Sequence, residues 1–231
     1  MPKEIEPRRT YGLPARTPRT NPEISAVIAA AGLSSRMGAF KPLLPLGNST
    51  IIERIVGTLR EAGIQTIAVV TGHNADRIEQ ALSARGLTFI HNGDYASTDM
   101  FRSASLGLTF LARRSGAVFF TPVDTPLFSA ATVRRLAECI QGRADTGAGD
   151  FTRRIVTPFF NGRPGHPVLI GSEAAVKIIG YTGAGGLRGA IEAYDGPKKD
   201  LDSGDPGTVF DADTMEDYKR LTLMDLKSSS P

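Results

Sequence analysis

The sequence predicts an α/β protein, a doubly wound and mostly parallel sheet with a small β-hairpin and loop subregion in its C-terminal part. Three observations carry this expectation. From residue 24 onward, short apolar runs alternate with amphipathic helical patterns. The runs are apolar at consecutive positions, as in strands covered on both faces. The chain has 231 residues, enough for one domain with a substantial core. Its 41% hydrophobic and 22% charged residues exclude a disordered, collagen-like or coiled-coil chain.

Each element has its own signal. Residues 1–22 hold Pro2, Pro7, Pro14, Pro18 and Pro22 and no apolar period, so they read as a flexible tail before a single domain at 23–231. Ile24–Ala30 is the first strand. Residues 50–61 place Ile51, Ile55, Val56 and Leu59 on one helical face. Strand 64–71, helix 75–85, strand 87–91, helix 100–114 and strand 117–123 follow, then helix 129–140 with Ser129 as its N-cap. Residues 145–154 are polar and Gly-containing, a mobile loop. Ile155–Phe160, the pair Asn161-Gly162 and residues 165–170 read as strand, hairpin turn and strand. A Gly-rich stretch, a helix at 187–194, a short strand at 208–210 and a helix from about Thr214 complete the chain, with Asp213 and Glu216 as its capping box.

Charge and cysteine content narrow the function. Of the 27 basic and 24 acidic residues, five and two lie in the first 20, which leaves 22 of each in the body. A neutral body has no global field to recruit nucleic acid or a membrane surface. No apolar run approaches the 18 residues of a membrane span, and no secretory signal is present. One cysteine, Cys139, leaves no internal disulfide or multi-cysteine zinc site, and the expected compartment is the cytoplasm. Cys139 lies in an apolar helical pattern and reads as core; His73 and His91 read as structural histidines.

The densest chemistry lies in residues 29–46, AAAGLSSRMGAFKPLLPL, directly after the first strand. Gly32 and Gly38 permit tight turns, Ser34 and Ser35 offer hydroxyls, and Arg36 and Lys41 place two cations on one short loop. Such a loop can wrap a triphosphate: backbone N–H groups form a nest and the cations neutralise phosphate charge. The spacing is neither that of a Walker A loop nor that of a dinucleotide-binding fingerprint. Asp124, just after an apolar strand, stands at the carboxyl edge where ligands of such sheets bind, and a carboxylate there suits Mg²⁺.

This loop resembles the A-A-G-x-S-x-R-M-G-x-x-K-x-L-L-P-L motif of the MobA/MocA-like nucleotidyltransferase family, and is most similar to its molybdenum cofactor cytidylyltransferase (MocA-like) branch. The resemblance covers about residues 24–225. VVTGHNAD (69–76), NGDYASTDMFRSASLGL (92–108), TPVDTPL (121–127), GRPGHPVLI (162–170) and FDADTMEDY (210–218) follow in the family's order and spacing. It implies a Rossmann-like nucleotidyltransferase fold, with residues 23–140 binding the nucleotide and 141–231 serving the acceptor side. It places Ala30, Ala31, Gly32, Ser34, Ser35, Arg36, Gly38, Lys41, Thr71, Gly72 and Ser103 at the nucleotide, and Arg36, Lys41 and Asp124 at the chemistry. It makes Asp124 and Asp211 the ligands of Mg²⁺. Arg163, His166 and Arg188 fall on the acceptor side. Ala30-Ala31, where the guanylyl branch has a glycine pair, favours CTP over GTP.

The implied activity is transfer of CMP from CTP to a phosphate-bearing acceptor, molybdopterin in the branch resembled, with release of pyrophosphate and transient contact with a molybdoenzyme or its chaperone. Two alternatives stay open. One keeps the chemistry with a sugar- or polyol-phosphate acceptor; the other is a nucleotide-binding regulator or cofactor chaperone without turnover. The chain departs from the family at 182–193, TGAGGLRGAIEA, where G-D-x-G-A-R is usual. That stretch is either a flexible loop or a phosphate-binding nest with Arg188.

Overall fold

The structure, a computed structural model, describes residues 9–10, 23–33, 37–142 and 150–228. The remainder of the expected tail and residues 145–149 of the expected mobile loop lie outside the described residues. A two-residue strand, β1 (Arg9–Thr10), precedes the body. The body begins with β2 (Ile24–Ala30), the short hairpin β3 (Pro45–Leu46) and β4 (Ser49–Thr50), and α1 (Ile51–Glu61). Then come β5 (Ile67–Thr71), α2 (Ala75–Ala81), β6 (Thr88–His91), α3 (Met100–Ala112), β7 (Ala117–Pro122) and α4 (Ala130–Ile140). The second part holds β8 (Ile155–Phe160), β9 (Arg163–Pro164), β10 (Val168–Gly171), α5 (Ser172–Ile179), α6 (Gly186–Ala193), β11 (Lys198–Asp202) and α7 (Met215–Ser228).

The main sheet runs in the order β1-β6-β5-β2-β7-β10-β8-β11, with β9 paired to β8. Its centre, β6-β5-β2-β7, is parallel. β10 is antiparallel to both β7 and β8, while β11 runs parallel to β8. Successive strand residues feed opposite cores, which explains the consecutive apolar runs. Ala26, Ile28, Val69 and Phe119 pack with Ile52, Ile55 and Leu59 of α1, Ile78 of α2 and Val133 and Leu136 of α4. Val27, Val70, Val118 and Phe120 pack with Ala104, Leu108 and Leu111 of α3, Ala174 and Ile178 of α5 and Ala190 of α6. Cys139 belongs to the first core and is not disulfide-bonded.

Local chemistry sets several boundaries. α1 starts at a capping box: Thr50 Oγ1 accepts from the Glu53 N–H while Glu53 accepts from the Thr50 N–H at 2.9 Å. Ser129 caps α4 by accepting from the Thr132 N–H at 3.2 Å. The turn Asn161-Gly162 takes positive φ at both positions, 49° and 74°, as a two-residue hairpin requires.

Three expectations are corrected. Residues 206–208 form a 3₁₀ turn, because Asp205 accepts from the Gly207 N–H at 2.9 Å and Pro206 cannot extend a ladder; the strand of this region is β11 instead. The helix α5 adds an element the periodicity leaves unmarked. The cap of α7 is Thr214, whose hydroxyl accepts from the Asp217 N–H at 3.2 Å while Asp217 accepts from the Thr214 N–H at 3.0 Å. Asp213 and Glu216 do not form it.

Candidate active site

β5 lies to one side of β2 and β7 to the other, so the crossovers diverge at β2, and the crevice beyond the carboxyl ends of β2 and β7 is the place for a ligand. Pairing there closes with Val123 N–H donating to the Ala29 carbonyl at 3.0 Å, after which the two chains part. The resulting cleft encloses about 170 Å³ between Ala29, Ala31, Gly32, Lys41, Pro42, Tyr95, Thr98, Asp99, Met100, Ser103 and Pro122 to Asp124.

Of the predicted residues, Ala31, Gly32, Lys41, Ser103 and Asp124 line this cleft. Ser34, Ser35 and Arg36 lie outside the described residues. Ala30 turns its side chain into the sheet core, so only its backbone stands at the strand end. Gly38 takes φ 62°, the left-handed turn the loop needs before Lys41. The far end of the loop is anchored by buried Met37 and by Phe40, which stacks edge-on to His73 at 5.8 Å. Gly72 is close-packed: a β-carbon there would crowd the Ala31 carbonyl and the Tyr95 side chain, each at 2.7 Å. His73 N–H donates to that same carbonyl at 3.2 Å, so Gly72 and His73 brace the start of the loop.

Sequence reasoning overlooked Asn92. It is buried, and its side-chain amide donates to Ser103 Oγ at 3.1 Å and to Thr98 Oγ1 at 3.3 Å. Its amide oxygen accepts from the Asp94 N–H at 3.1 Å. This one side chain ties the β6–α3 loop to the helix that carries Ser103. Tyr95, Thr98 and Asp99 were likewise missed, although their stretch was singled out; no local pattern marks which loop residues face a cleft.

The electrostatics centre on Lys41 and three carboxylates. Lys41 Nζ pairs with Asp213 Oδ1 at 3.2 Å; the lysine side chain is 9% exposed and the aspartate 44%. The Ala212 N–H donates to the Asp124 carbonyl at 2.9 Å, which docks residues 211–213 against the end of β7. Thr125 Oγ1 donates to Asp124 Oδ1 at 3.2 Å. Burial pushes the Asp124 carboxyl above the usual range, and the charges of Asp213 and Asp211 push it further, against the pull of Lys41 and the Thr125 hydroxyl. The loop that follows β7 and the loop that precedes α7 therefore bring Asp124 and Asp211 into electrostatic contact.

Among the described residues no group of three or more histidine, cysteine or acidic side chains is assembled to cage a metal. Asp124 lines the cleft, and the Asp211 carboxylate is near enough for its charge to act on it, so hard oxygen donors are what the site offers. That fits Mg²⁺, which takes one or two carboxylates and fills its remaining positions with phosphate oxygens and water.

The acceptor-side expectations fall elsewhere. Arg163 is exposed on β9. Arg188, exposed on α6, pairs with Glu192 at 2.9 Å beside a separate open concavity with Tyr181 and Gly185. His166 packs its ring edge-on to Phe120 at 5.9 Å, and its Nδ1 is buried without a partner. Burial pulls its pKa down to about 4, against the opposing effects of the Phe120 carbonyl and Asp211. None of the three lines the cleft.

A profile of the MobA-like NTP transferase domain matches residues 26–198. The chain is 28% identical over 196 residues to the molybdenum cofactor cytidylyltransferase of Escherichia coli strain K12, covering 84% of this chain and 93% of that protein. Among solved structures, a nucleotidyl transferase from Methanothermobacter superposes with a TM-score of 0.71 at 25% identity, over 90% of this chain and 99% of that one. Rv0371c of Mycobacterium tuberculosis H37Rv, in complex with manganese, superposes with a TM-score of 0.70 at 22% identity, over 88% and 100%.

Proposed function

The chain belongs to the MobA-like NTP transferase family, and from that premise we propose that it transfers CMP from CTP to the terminal phosphate of molybdopterin, releasing pyrophosphate. The observation that carries this reading is the convergence of Lys41, Ser103 and Asp124 on one cleft at the divergence of β2 and β7. The similarity to the cytidylyltransferase of E. coli over nearly the whole of both chains supports the choice of nucleotide and acceptor.

In this reading residues 23–140 hold the nucleotide and 141–231 face the acceptor. The turn through Ala30, Ala31, Gly32, Ser34, Ser35 and Gly38 wraps the triphosphate with backbone N–H groups, and Thr71 and Gly72 meet the base. An acceptor phosphate oxygen attacks the α-phosphorus in line. The new P–O bond forms as the bond between the α-phosphorus and the bridging oxygen breaks, and that oxygen leaves with pyrophosphate. Lys41 and Arg36 neutralise the charge growing on the departing group. Asp124 and Asp211 would hold Mg²⁺, which supplies Lewis-acid neutralisation of the phosphates. Arg163, His166 and Arg188 belong to the acceptor half and lie outside the nucleotide cleft. No helix among the described residues is long and apolar enough to cross a membrane, and a buried, unbridged Cys139 suits a reducing cytoplasm.

The test crosses CTP, GTP, UTP and ATP, with Mg²⁺, against molybdopterin and simple sugar phosphates in a pyrophosphate-release assay. Release with CTP and molybdopterin alone is the expected result. Release with a sugar phosphate would move the acceptor assignment, and tight CTP binding with no turnover for any acceptor would make the chain a nucleotide-binding regulator.

A further inference from the structure

We propose that Asp213 is a positioning and specificity residue: it holds Lys41 in the cleft while no nucleotide is bound, and by occupying that cation it makes the site discriminate against nucleotides that arrive without a metal. The inference rests on the reading that Lys41 binds nucleotide phosphates.

The geometry supplies the argument. The Lys41 side chain is 9% exposed, and an ammonium so deeply placed needs a counter-charge. Asp213 provides one at 3.2 Å from a position 172 residues away in sequence. A carboxylate oxygen and a phosphate oxygen are the same kind of acceptor to an ammonium, so Oδ1 stands where a phosphate oxygen would bind. The two ends of the pair are unequal, however. Asp213 is 44% exposed and can turn into water, whereas Lys41 stays inside the wall of the cleft. The Asp213 side chain is not the cap of α7, which Thr214 and Asp217 make.

A triphosphate therefore meets Lys41 already paired, beside two further carboxylates, Asp124 and Asp211, whose charges are felt in common with that of Asp213. A bare polyanion has to displace Asp213 in the presence of these carboxylates. A nucleotide whose phosphates are already neutralised by a divalent cation enters with less repulsion and releases Asp213 to solvent as Lys41 changes partner.

The test is calorimetric titration of CTP in EDTA, and in Mg²⁺, into the wild-type chain, D213N, D213S and D213N/K41M, each checked for folding by circular dichroism. Metal-free CTP is expected to bind about two- to fivefold more tightly to D213N and D213S than to wild type, the scale of a half-exposed ion pair. The gain should vanish in D213N/K41M, because the lysine being released is gone. If the folded variants bind metal-free CTP no more tightly than wild type while wild type binds CTP in Mg²⁺, the proposal is wrong and the nucleotide reading stands. A wild-type chain that binds CTP under neither condition would overturn both.

Discussion

Replacing Lys41 with methionine separates the chemical role of this residue from its structural one. Methionine keeps most of the unbranched stem, so the wall of the cleft stays filled. The structural interactions lost include the pair with Asp213, whose carboxylate is 44% exposed and can be hydrated. Screened in this way the pair is worth at most about 1 kcal/mol, and for a chain of this size that lowers Tm by about 2–4 °C. The catalytic loss is much larger. One preorganised charge aimed at a developing phosphate charge supplies about 3–4 kcal/mol, or a factor of about 10²–10³ in rate. K41M should therefore lose turnover on that scale in a pyrophosphate-release assay while its thermal unfolding moves by only a few degrees. The Asp124 carboxyl should also rise further, since Lys41 is the strongest influence holding it down. A K41M protein that keeps more than a tenth of the wild-type rate would remove the lysine from the mechanism.

Four other outcomes follow from the structure. Asp124→Asn should unfold at a higher temperature than wild type at pH 7–8 in metal-free buffer, with its turnover abolished; a lower Tm at that pH would contradict the electrostatic account. Gly107→Ala should lose about 1–3 kcal/mol in urea unfolding, because the added methyl overlaps Val27 where α3 crosses β2. Gly57→Ala, on the exposed face of α1 with nothing near its β-carbon, should gain about 0.5–1 kcal/mol. His166 should make the protein acid-sensitive. Its folded pKa of about 4 lies below its unfolded value, so the stability it confers is present above about pH 6.5 and is lost as pH falls toward 4. The loss amounts to a few kcal/mol, on the order of two to three, and His166→Gln should flatten urea-unfolding stability across that window.

What could be read from the residues was what is decided locally. The strands β2, β5 and β7 declare themselves by runs buried on both sides, and α1 by its apolar face. The cleft residues Gly32, Lys41 and Asp124 could be placed because they lie on the loop after the first strand or at the end of a later one, and Ser103 through the family resemblance. Elements whose reason for existing is distant were lost. β11 is KKDLD, mostly exposed and charged, and is a strand only because β8 offers it a parallel partner. α5 follows β10 without a turn between them, Gly171 serving both as the last strand residue and as the N-cap. Asp213 and Thr214 both suit a helix cap by composition. The choice between them falls to Thr214 because Lys41, far away in the chain, takes Asp213.

That choice is also where stability and function part company. Among the described residues, Asp211, Asp213 and the Lys41 ammonium all act on Asp124. Burial first, and then the charges of Asp213 and Asp211, raise the Asp124 carboxyl against the pull of Lys41. Since the folded value lies above the unfolded one, the contribution of Asp124 to folding is present below about pH 4 and is lost as pH rises through the raised value. At neutral pH this raised carboxyl weighs against the fold, and no neighbour among the described residues reverses the shift. A fold selected for stability alone would place an asparagine there. Retaining the carboxylate makes sense if a divalent cation offsets its charge, and in that case the same metal that restores stability to the protein brings in the nucleotide. Added Mg²⁺ should then raise the Tm of wild type and leave that of Asp124→Asn nearly unchanged, and equal shifts in the two proteins would break the link between this carboxylate and the metal.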